Sequence, residues 1–201
     1  MYRTYKPGWI EVICGCMFAG KTEELIKRIR VLEYAKKKVV AFKPTIDNRY
    51  SENKIASHAG NFCECVLVDI NDLSPIKALI NDKTVDAVVI EEVQFLNEEI
   101  VSICEQLAQN KKRVIVAGLD TDFKGDPFRI MADLMAKAEF VTKLSAVCTK
   151  CGAPATRTQR LINGEPASIN DPIILVGASE CYEARCRHCH EVKRWFSKNH
   201  L

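Results

Sequence analysis

The sequence predicts an α/β protein built on a parallel sheet, followed by a small cysteine-rich unit. Short apolar runs alternate with helix-like stretches, and the turn after the first run has the composition of a phosphate-binding loop. Two cysteine pairs, each with two residues between its members, predict the second unit. Helical periodicity gives way to Gly, Pro, Asn and Asp after Val141. We therefore predict an α/β domain over 1–145, a small domain over 146–192 and a tail over 193–201.

The strand candidates are apolar, β-branched runs bounded by turn residues. They lie at Trp9 to Cys14, Val39 to Phe42, Cys63 to Val68, Val85 to Ile90 and Arg113 to Ala117. Because helices are expected between them, the strands should be parallel and covered by helices.

The helix candidates fill the intervals between these strands. The first shows apolar residues at helical spacing, namely Leu25, Ile26, Ile29 and Leu32. Two more helices are predicted near residues 75–82 and 98–109. Residues 43–61 are polar and poor in strand formers, so we expect a flexible loop there.

Composition limits the class of protein. Of the 201 residues, 47% are hydrophobic and 27% are charged, which is ordinary for a soluble globular chain. The net charge of +3 is too small to require a nucleic-acid partner, and the apolar runs are too short to cross a membrane. The first residues lack the apolar core of a signal peptide, so we expect a cytoplasmic protein whose ten cysteines are mostly reduced.

A phosphate-binding loop is the clearest motif. The P-loop pattern is satisfied in full by Gly15, Cys16, Met17, Phe18, Ala19, Gly20, Lys21 and Thr22. It lies between a predicted strand and a predicted helix, as the motif requires. The backbone N–H groups should cradle phosphate oxygens, with Lys21 on the β- and γ-phosphates of ATP and Thr22 on the accompanying Mg²⁺.

Two carboxylates follow the strand candidate from Val85 to Ile90. A buried parallel strand followed by Glu91 and Glu92 resembles a Walker B strand. Adjacent residues of an extended chain point to opposite sides, so the two should have different tasks. One carboxylate would lie near magnesium and the other would accept a proton.

The cysteine pairs predict a structural zinc site. Cys148, Cys151, Cys186 and Cys189 form two knuckles of the kind that hold tetrahedral zinc. Four cysteines close the coordination shell, so the metal should be structural rather than catalytic. The chain between 151 and 186 must loop out and return, and this lasso could cover a substrate. His188 or His190 is the alternative fourth ligand, although Cys189 preserves the spacing.

Together these motifs resemble the zinc-containing thymidine kinase family of bacteria and animals. The similar stretches are G-C-M-F-A-G-K-T, E-E-V-Q-F, A-G-L-D-T-D-F, T-R-T-Q-R-L and V-G-A-S-E-C-Y, and they cover nearly the whole chain. The resemblance implies a RecA-like core with a small zinc-binding lasso domain, assembled as a cytoplasmic homotetramer. It also implies transfer of the γ-phosphoryl group of ATP to thymidine or deoxyuridine in pyrimidine salvage, and feedback inhibition by thymidine triphosphate (dTTP).

The same resemblance implies roles for individual residues. The general base would be Glu92, and the ATP site would include Arg49, Glu91, Glu92, Val93 and Gln94 besides the P-loop. The family's first acidic residue is usually aspartate, so Glu91 should alter the metal geometry. The residues expected to wrap the thymine base are Met17, Phe95, Leu119, Phe123, Thr158, Gly177 and Tyr182. Arg129 could lie near the core, although an exposed, solvated arginine is the alternative there and at Arg49.

Two rival functions remain at this point. The first is a RecA-like ATPase that uses its zinc unit to bind nucleic acid, although that unit mixes acidic and basic residues. The second is a kinase of the same fold that prefers deoxyuridine or deoxycytidine, because one methyl or amino group changes specificity only modestly. Neither a nucleic-acid partner nor a membrane is expected.

Overall fold

The computed structural model describes residues 8–45, 54–56, 60–173 and 180–193. A parallel six-stranded sheet forms its centre, in the order β5-β2-β6-β7-β1-β8. A short antiparallel hairpin, β3-β4, lies beside it. The eight strands are β1 (Trp9–Cys14), β2 (Val39–Pro44), β3 (Lys54–Ala56), β4 (Phe62–Glu64), β5 (Val66–Val68), β6 (Ala87–Ile90), β7 (Arg113–Gly118) and β8 (Phe140–Lys143).

Helices cover both faces of the sheet. In the described residues they are α1 (Lys21–Tyr34), α2 (Ser74–Lys77), α3 (Ile100–Gln109) and α4 (Arg129–Lys137), and a 3-10 turn lies at Val93–Phe95. The buried face of α1 packs with Ile13, Val89 and Ile115 in one apolar cluster. Residues of α2, α3 and α4 pack with Val12 and Val116 in the other. The predicted α/β fold with a parallel sheet is confirmed.

Some elements differ from the sequence prediction. The helix predicted over 75–82 is only four residues long, because the chain tightens into hydrogen bonds three residues apart from Leu79 onward. The run from Cys63 to Val68 divides between β4 and β5. Both α4 and β8 were missed, although Ile130, Met131 and Leu134 form a buried stripe.

A buried charge holds α1 against the strand that precedes it. Glu11 lies on β1, and its carboxylate accepts hydrogen bonds from Arg28 Nη1 (2.9 Å), Arg113 Nε (2.5 Å) and Trp9 Nε1 (2.6 Å). Arg28 also donates to Thr142 Oγ1 of β8 (2.9 Å). A buried carboxylate is tolerated when it is paired in this way, so the network ties α1 to three adjacent strands.

The C-terminal part forms two small antiparallel sheets. One pairs β9 (Ala146–Val147) with β10 (Pro154–Ala155), and the other has the order β12-β11-β13. These strands are β11 (Arg157–Ile162), β12 (Glu165–Pro166) and β13 (Glu180–Arg185). The central sheet ends at Lys143 and the small sheets begin at Ala146. A folding boundary near residue 145 stays a prediction.

Across the described ranges, none of the helices has both the length and the apolar character needed to cross a membrane.

Candidate active site and zinc centre

The P-loop connects the carboxyl end of β1 to α1. Gly15 has φ 147°, and a Cβ at this position would lie 2.5 Å from the carbonyl oxygen of Leu144, so a side chain does not fit. Gly20 precedes α1 with φ 83°. Phe18 is half-exposed with φ 65°. The loop therefore lies at the N-terminus of a 14-residue helix, where backbone N–H groups favour an anion.

The two polar residues that end the P-loop have different partners, one within the loop and one at the end of β6. Lys21 Nζ donates a hydrogen bond to the Cys16 carbonyl oxygen at 2.9 Å. Thr22 Oγ1 donates to Glu91 Oε1 at 2.7 Å. This hydrogen bond joins the P-loop directly to the acidic end of β6. A hydroxyl and a carboxylate oxygen side by side are ligands that Mg²⁺ accepts.

Glu91 and Glu92 lead in different directions from the end of β6. Glu91 is buried, and its backbone N–H donates to the Phe42 carbonyl oxygen (2.9 Å). Glu92 has φ 50° and ψ 39°, a left-handed conformation that is uncommon for a residue with a side chain. The two carboxylates have different partners, Thr22 for Glu91 and Gln94 for Glu92. They diverge because the chain turns at Glu92, not because an extended strand alternates its side chains.

Gln94 lies in the turn after Glu92. Its Nε2 donates to Glu92 Oε2 at 2.5 Å, and its Oε1 accepts from the Leu119 N–H at 3.2 Å. The side chain of Val93 is fully buried in the core. An ATP-binding role for Val93 stays a prediction that only its backbone could fulfil.

An ion pair that the sequence did not indicate borders the P-loop strand. Lys143 Nζ lies 2.7 Å from Asp120 Oδ2, and the Asp120 side chain is almost fully buried. Cys14 is paired with Gly118 on one side and with Lys143 on the other. Burial, followed by the charge of Asp120, raises the pKa of Cys14 to about 11. This thiol therefore stays protonated and behaves as a small core residue.

Two of the residues predicted to wrap the base lie next to each other. The backbone N–H of Met17 donates to Thr158 Oγ1 at 3.1 Å, which joins the P-loop to β11. Phe95 makes an edge-on ring contact with Phe128 (centroids 6.1 Å apart), at the start of α4. The backbone N–H of Leu119 donates to Gln94 Oε1. The base-wrapping role of these residues stays a prediction.

Phe123 forms a second group with residues of the small sheets. Its ring lies 5.0 Å from the guanidinium of Arg160, a fully buried side chain that also donates to the Pro172 carbonyl oxygen (2.6 Å). Tyr182 is directly opposite Arg160 in the pairing of β11 with β13. The sequence did not indicate Arg160 as part of this group, since a charged residue is usually expected to be exposed.

The remaining residues predicted at the site are Arg49, Gly177, Arg129 and Ala19. Arg49 and Gly177 lie outside the described residues. Arg129 is exposed and pairs with Glu98 (3.6 Å), as expected of a solvated arginine. Ala19 is half-buried against the small cluster around Cys16.

The four knuckle cysteines lie together and fit a zinc ion. Their sulfur atoms are all within 4.8 Å of one another, and Cys151 Sγ lies 3.7 Å from Cys186 Sγ. Tetrahedral zinc with Zn–S bonds of about 2.3 Å requires sulfur separations of about 3.8 Å. The first pair lies in the turn between β9 and β10, and the second pair directly follows β13. The cluster therefore joins the two small sheets.

Within this cluster the pKa values of Cys148 and Cys186 are lowered, whereas that of Cys189 is raised. Burial raises the pKa of Cys148, but hydrogen bonds from the backbone N–H groups around it outweigh burial and lower the pKa to about 6. Hydrogen bonds with Cys151 and Cys186 raise the pKa of Cys189 to about 12. Burial raises the pKa of Cys104, outside the cluster, to about 12. Zinc binds the thiolate form of cysteine, and the lowered pKa of Cys148 favours that form.

His190 has a different partner from the cluster. Its Nε2 lies 2.8 Å from the carbonyl oxygen of Phe123. A carbonyl only accepts, so Nε2 carries the proton in this contact. With Cys189 in the sulfur cluster and His190 bound to Phe123, the four-cysteine set fits better than the alternative with histidine.

Comparison with known proteins gives a family match that covers most of the chain. The family model described as thymidine kinase matches residues 8–190. Among solved structures, the flagellar accessory protein FlaH from Methanocaldococcus jannaschii is 11% identical, with 74% of this chain and 76% of that chain covered and a TM-score of 0.47. Domain III of the replication initiation protein DnaA from Thermotoga maritima is 16% identical, with 67% and 54% covered and a TM-score of 0.40.

Proposed function

The chain belongs to the thymidine kinase family, and from this premise we propose that it transfers the γ-phosphoryl group of ATP to the 5′-hydroxyl of thymidine. The products would be ADP and thymidine monophosphate. The family match carries this proposal because it spans the P-loop, the acidic turn and both cysteine knuckles. Deoxyuridine is the proposed second acceptor, since it differs from thymidine by one methyl group.

The proposed ATP site consists of the P-loop and the turn after β6. The backbone N–H groups of 15–22 would bind the phosphates, with Lys21 on the β- and γ-phosphates. Thr22 and Glu91 would hold Mg²⁺, which neutralises charge on the transferred group. The hydrogen bond between Thr22 and Glu91 supports this assignment because it already brings both ligands to one point. The longer side chain of Glu91, where the family usually has aspartate, spans that distance.

We assign the general base to Glu92. In the proposed reaction its carboxylate accepts the proton of the 5′-hydroxyl while that oxygen attacks the γ-phosphorus and the bond to the bridging oxygen of ADP breaks. Support comes from its position one residue after Glu91, and from its half-buried side chain in a turn that leaves the strand. Leu119, Phe95, Met17 and Thr158 would hold the nucleoside beside it.

The zinc unit is proposed to complete the nucleoside pocket. Zinc would join the two knuckles and so close the chain between Cys151 and Cys186 into a lasso. Support comes from the contact of Thr158 on β11 with the P-loop residue Met17. From the resemblance alone we further propose a cytoplasmic homotetramer that acts in pyrimidine salvage and is inhibited by dTTP. Loss of thymidine binding in competition with dTTP would test the inhibition.

Ion pairs within the small C-terminal domain (146–192), and between it and Lys193, argue against the nucleic-acid-binding alternative. Lys150 pairs with Glu191 (2.9 Å), Lys193 pairs with Glu165 (3.3 Å), and Arg185 pairs with Glu183. Cations that are already paired with carboxylates offer little net charge to a phosphate backbone.

One experiment separates these possibilities. ADP release by purified, zinc-loaded protein would be measured with Mg²⁺ and, in turn, thymidine, deoxyuridine, deoxycytidine and single-stranded DNA. We expect ADP release that depends on thymidine, together with thymidine monophosphate. ADP release that only DNA stimulates would replace the kinase with an ATPase.

A further inference from the structure

We infer that Gln94 is a positioning residue that orients the Glu92 carboxylate and couples it to the backbone of Leu119. The inference rests on the proposed function, because the base role of Glu92 is itself proposed. Gln94 is buried, with 6% of its surface exposed. A buried amide must find partners for both of its ends, and the two partners here belong to different parts of the proposed site.

The neighbours of the amide determine which way it points. The Leu119 N–H can only donate, so the atom 3.2 Å away must be the amide oxygen. The other end is then the NH₂ group, which donates to Glu92 Oε2 at 2.5 Å. The reverse orientation would put an oxygen against the carboxylate and an NH₂ group against an N–H. The orientation of Gln94 is therefore set by Leu119.

The space for this amide exists because β7 ends in a glycine. A Cβ on Gly118 would lie 2.2 Å from Gln94 Oε1 and 3.0 Å from Met131 Sδ. Any side chain at 118 would push the amide away from Leu119 and thus away from Glu92. Gly118 thus leaves the space for the amide oxygen, and the Leu119 N–H holds it there.

The backbone of Glu92 makes this support necessary. At φ 50° and ψ 39° the chain turns sharply, which brings the carboxylate back over the residue two positions later. A residue with a side chain keeps this uncommon backbone conformation only where surrounding contacts stabilise it. The Gln94 NH₂ group holds one of the two carboxylate oxygens, Oε2, at a fixed position.

The connection to Leu119 reaches the proposed nucleoside pocket. Leu119 directly follows β7 and is half-buried. A nucleoside packed against Leu119 would press on the same backbone N–H that orients the amide. The position of the thymine ring is thereby coupled to the orientation of the Glu92 carboxylate. Substitution of Gln94 should therefore affect turnover more than thymidine binding.

The test compares Gln94→Met in the wild-type protein and in the Glu92→Gln variant. In the wild type we expect kcat to fall about 10-fold to 100-fold, the usual effect of a misplaced catalytic group. The dissociation constant of thymidine should change by less than about twofold. In the Glu92→Gln background, Gln94→Met should cause no further loss, because the group that it positions is gone.

A second substitution of Gln94 and a control substitution complete the test. Gln94→Glu preserves the length and the acceptor for Leu119 but replaces the donor to Glu92, so it should lose kcat like Gln94→Met even if the latter folds poorly. Gln106→Met, an identical change at an exposed position of α3, is the control for the substitution.

The outcomes distinguish the positioning role of Gln94 from the base role of Glu92. Equal losses in both backgrounds, or a Gln94→Glu variant with normal kcat, would overturn the positioning role while leaving Glu92 in place. Near-normal turnover of Glu92→Gln alone would remove the proposed base and this inference with it.

Discussion

The thiol of Cys16 in the P-loop donates a hydrogen bond to the carbonyl oxygen of Ala155 in the zinc unit, 3.3 Å away. Burial raises the pKa of Cys16, so the thiol keeps the proton that it donates. Cys16 also packs in one apolar cluster with Cys148 and Cys186, two of the proposed zinc ligands. The wall behind the phosphate-binding loop is thus made by the unit that zinc is expected to hold together.

Removal of zinc should therefore weaken ATP binding as well as nucleoside binding. Loss of the Cys16 and Met17 hydrogen bonds would cost about 1 kcal/mol each, which corresponds to roughly fivefold in affinity per bond. We expect the dissociation constant of an ATP analogue and the KM of thymidine to rise together in protein verified to be zinc-free. Titration calorimetry before and after zinc is restored would measure the first. An ATP affinity independent of zinc would show that the P-loop holds its shape alone.

Thr158→Val should destabilise the contact between the P-loop and β11. The change keeps the shape of the side chain but leaves the Met17 N–H without its acceptor, which costs about 1–3 kcal/mol. Chemical denaturation would show this loss of unfolding free energy. Thr45→Val, at an exposed position directly after β2, is the matched control. Equal stability of the two variants would mean that solvent replaces the Thr158 hydroxyl.

Glu92→Gln should lower kcat by about 10²-fold or more, as expected for the loss of a positioned base. Binding of ATP and thymidine should be retained, because the amide has nearly the same size. Glu98→Gln, at an exposed residue beyond the same turn, should leave kcat unchanged. Steady-state kinetics measures both variants. Turnover near that of the wild type would exclude Glu92 as the base.

Glu91→Gln should raise the Mg²⁺ concentration required for half-maximal activity. The substitution removes the charge of the carboxylate that lies 2.7 Å from Thr22 Oγ1, and hard cations prefer charged oxygen ligands. An increase of about tenfold corresponds to roughly 1.4 kcal/mol. The comparison with Glu92→Gln is informative, because that variant should lose kcat without a change in Mg²⁺ dependence. An unchanged requirement in Glu91→Gln would assign the metal to other ligands.

The sequence predicted those parts of the fold that depend on local pattern. Residues 87–90 of the predicted run at 85–90 are apolar on both faces and form the buried strand β6, and the P-loop occupies the strand-to-helix turn that its motif requires. The four cysteines, 35 residues apart as two pairs, also meet as predicted. These features were accessible because each rests on spacing or periodicity within one segment.

Contacts between distant segments were not accessible in this way. Cys16 and Ala155 are 139 residues apart, and His190 and Phe123 are 67 residues apart. Cys16 was predicted only as part of the P-loop, and its hydrogen bond to Ala155 follows from the way the C-terminal sheets pack on that loop. Gln94 was predicted at the ATP site, but its contact with Leu119 depends on two strands that lie side by side in the sheet.

Cys186→Ser should separate the structural role of zinc from the general effect of losing a thiol. Cys186 is buried in the sulfur cluster, and serine is a poor zinc ligand, so we expect the bound zinc to be lost and the melting temperature to fall. Cys181→Ser is the control, because Cys181 is exposed and lies outside the cluster. Zinc content by atomic absorption and thermal unfolding would be measured for both. Because Cys186 also packs with Cys16, its loss should weaken binding of the ATP analogue, whereas the Cys181 variant should bind it normally. A Cys186 variant that keeps one zinc per chain would show that three cysteines suffice, and the closed four-thiolate site would be wrong.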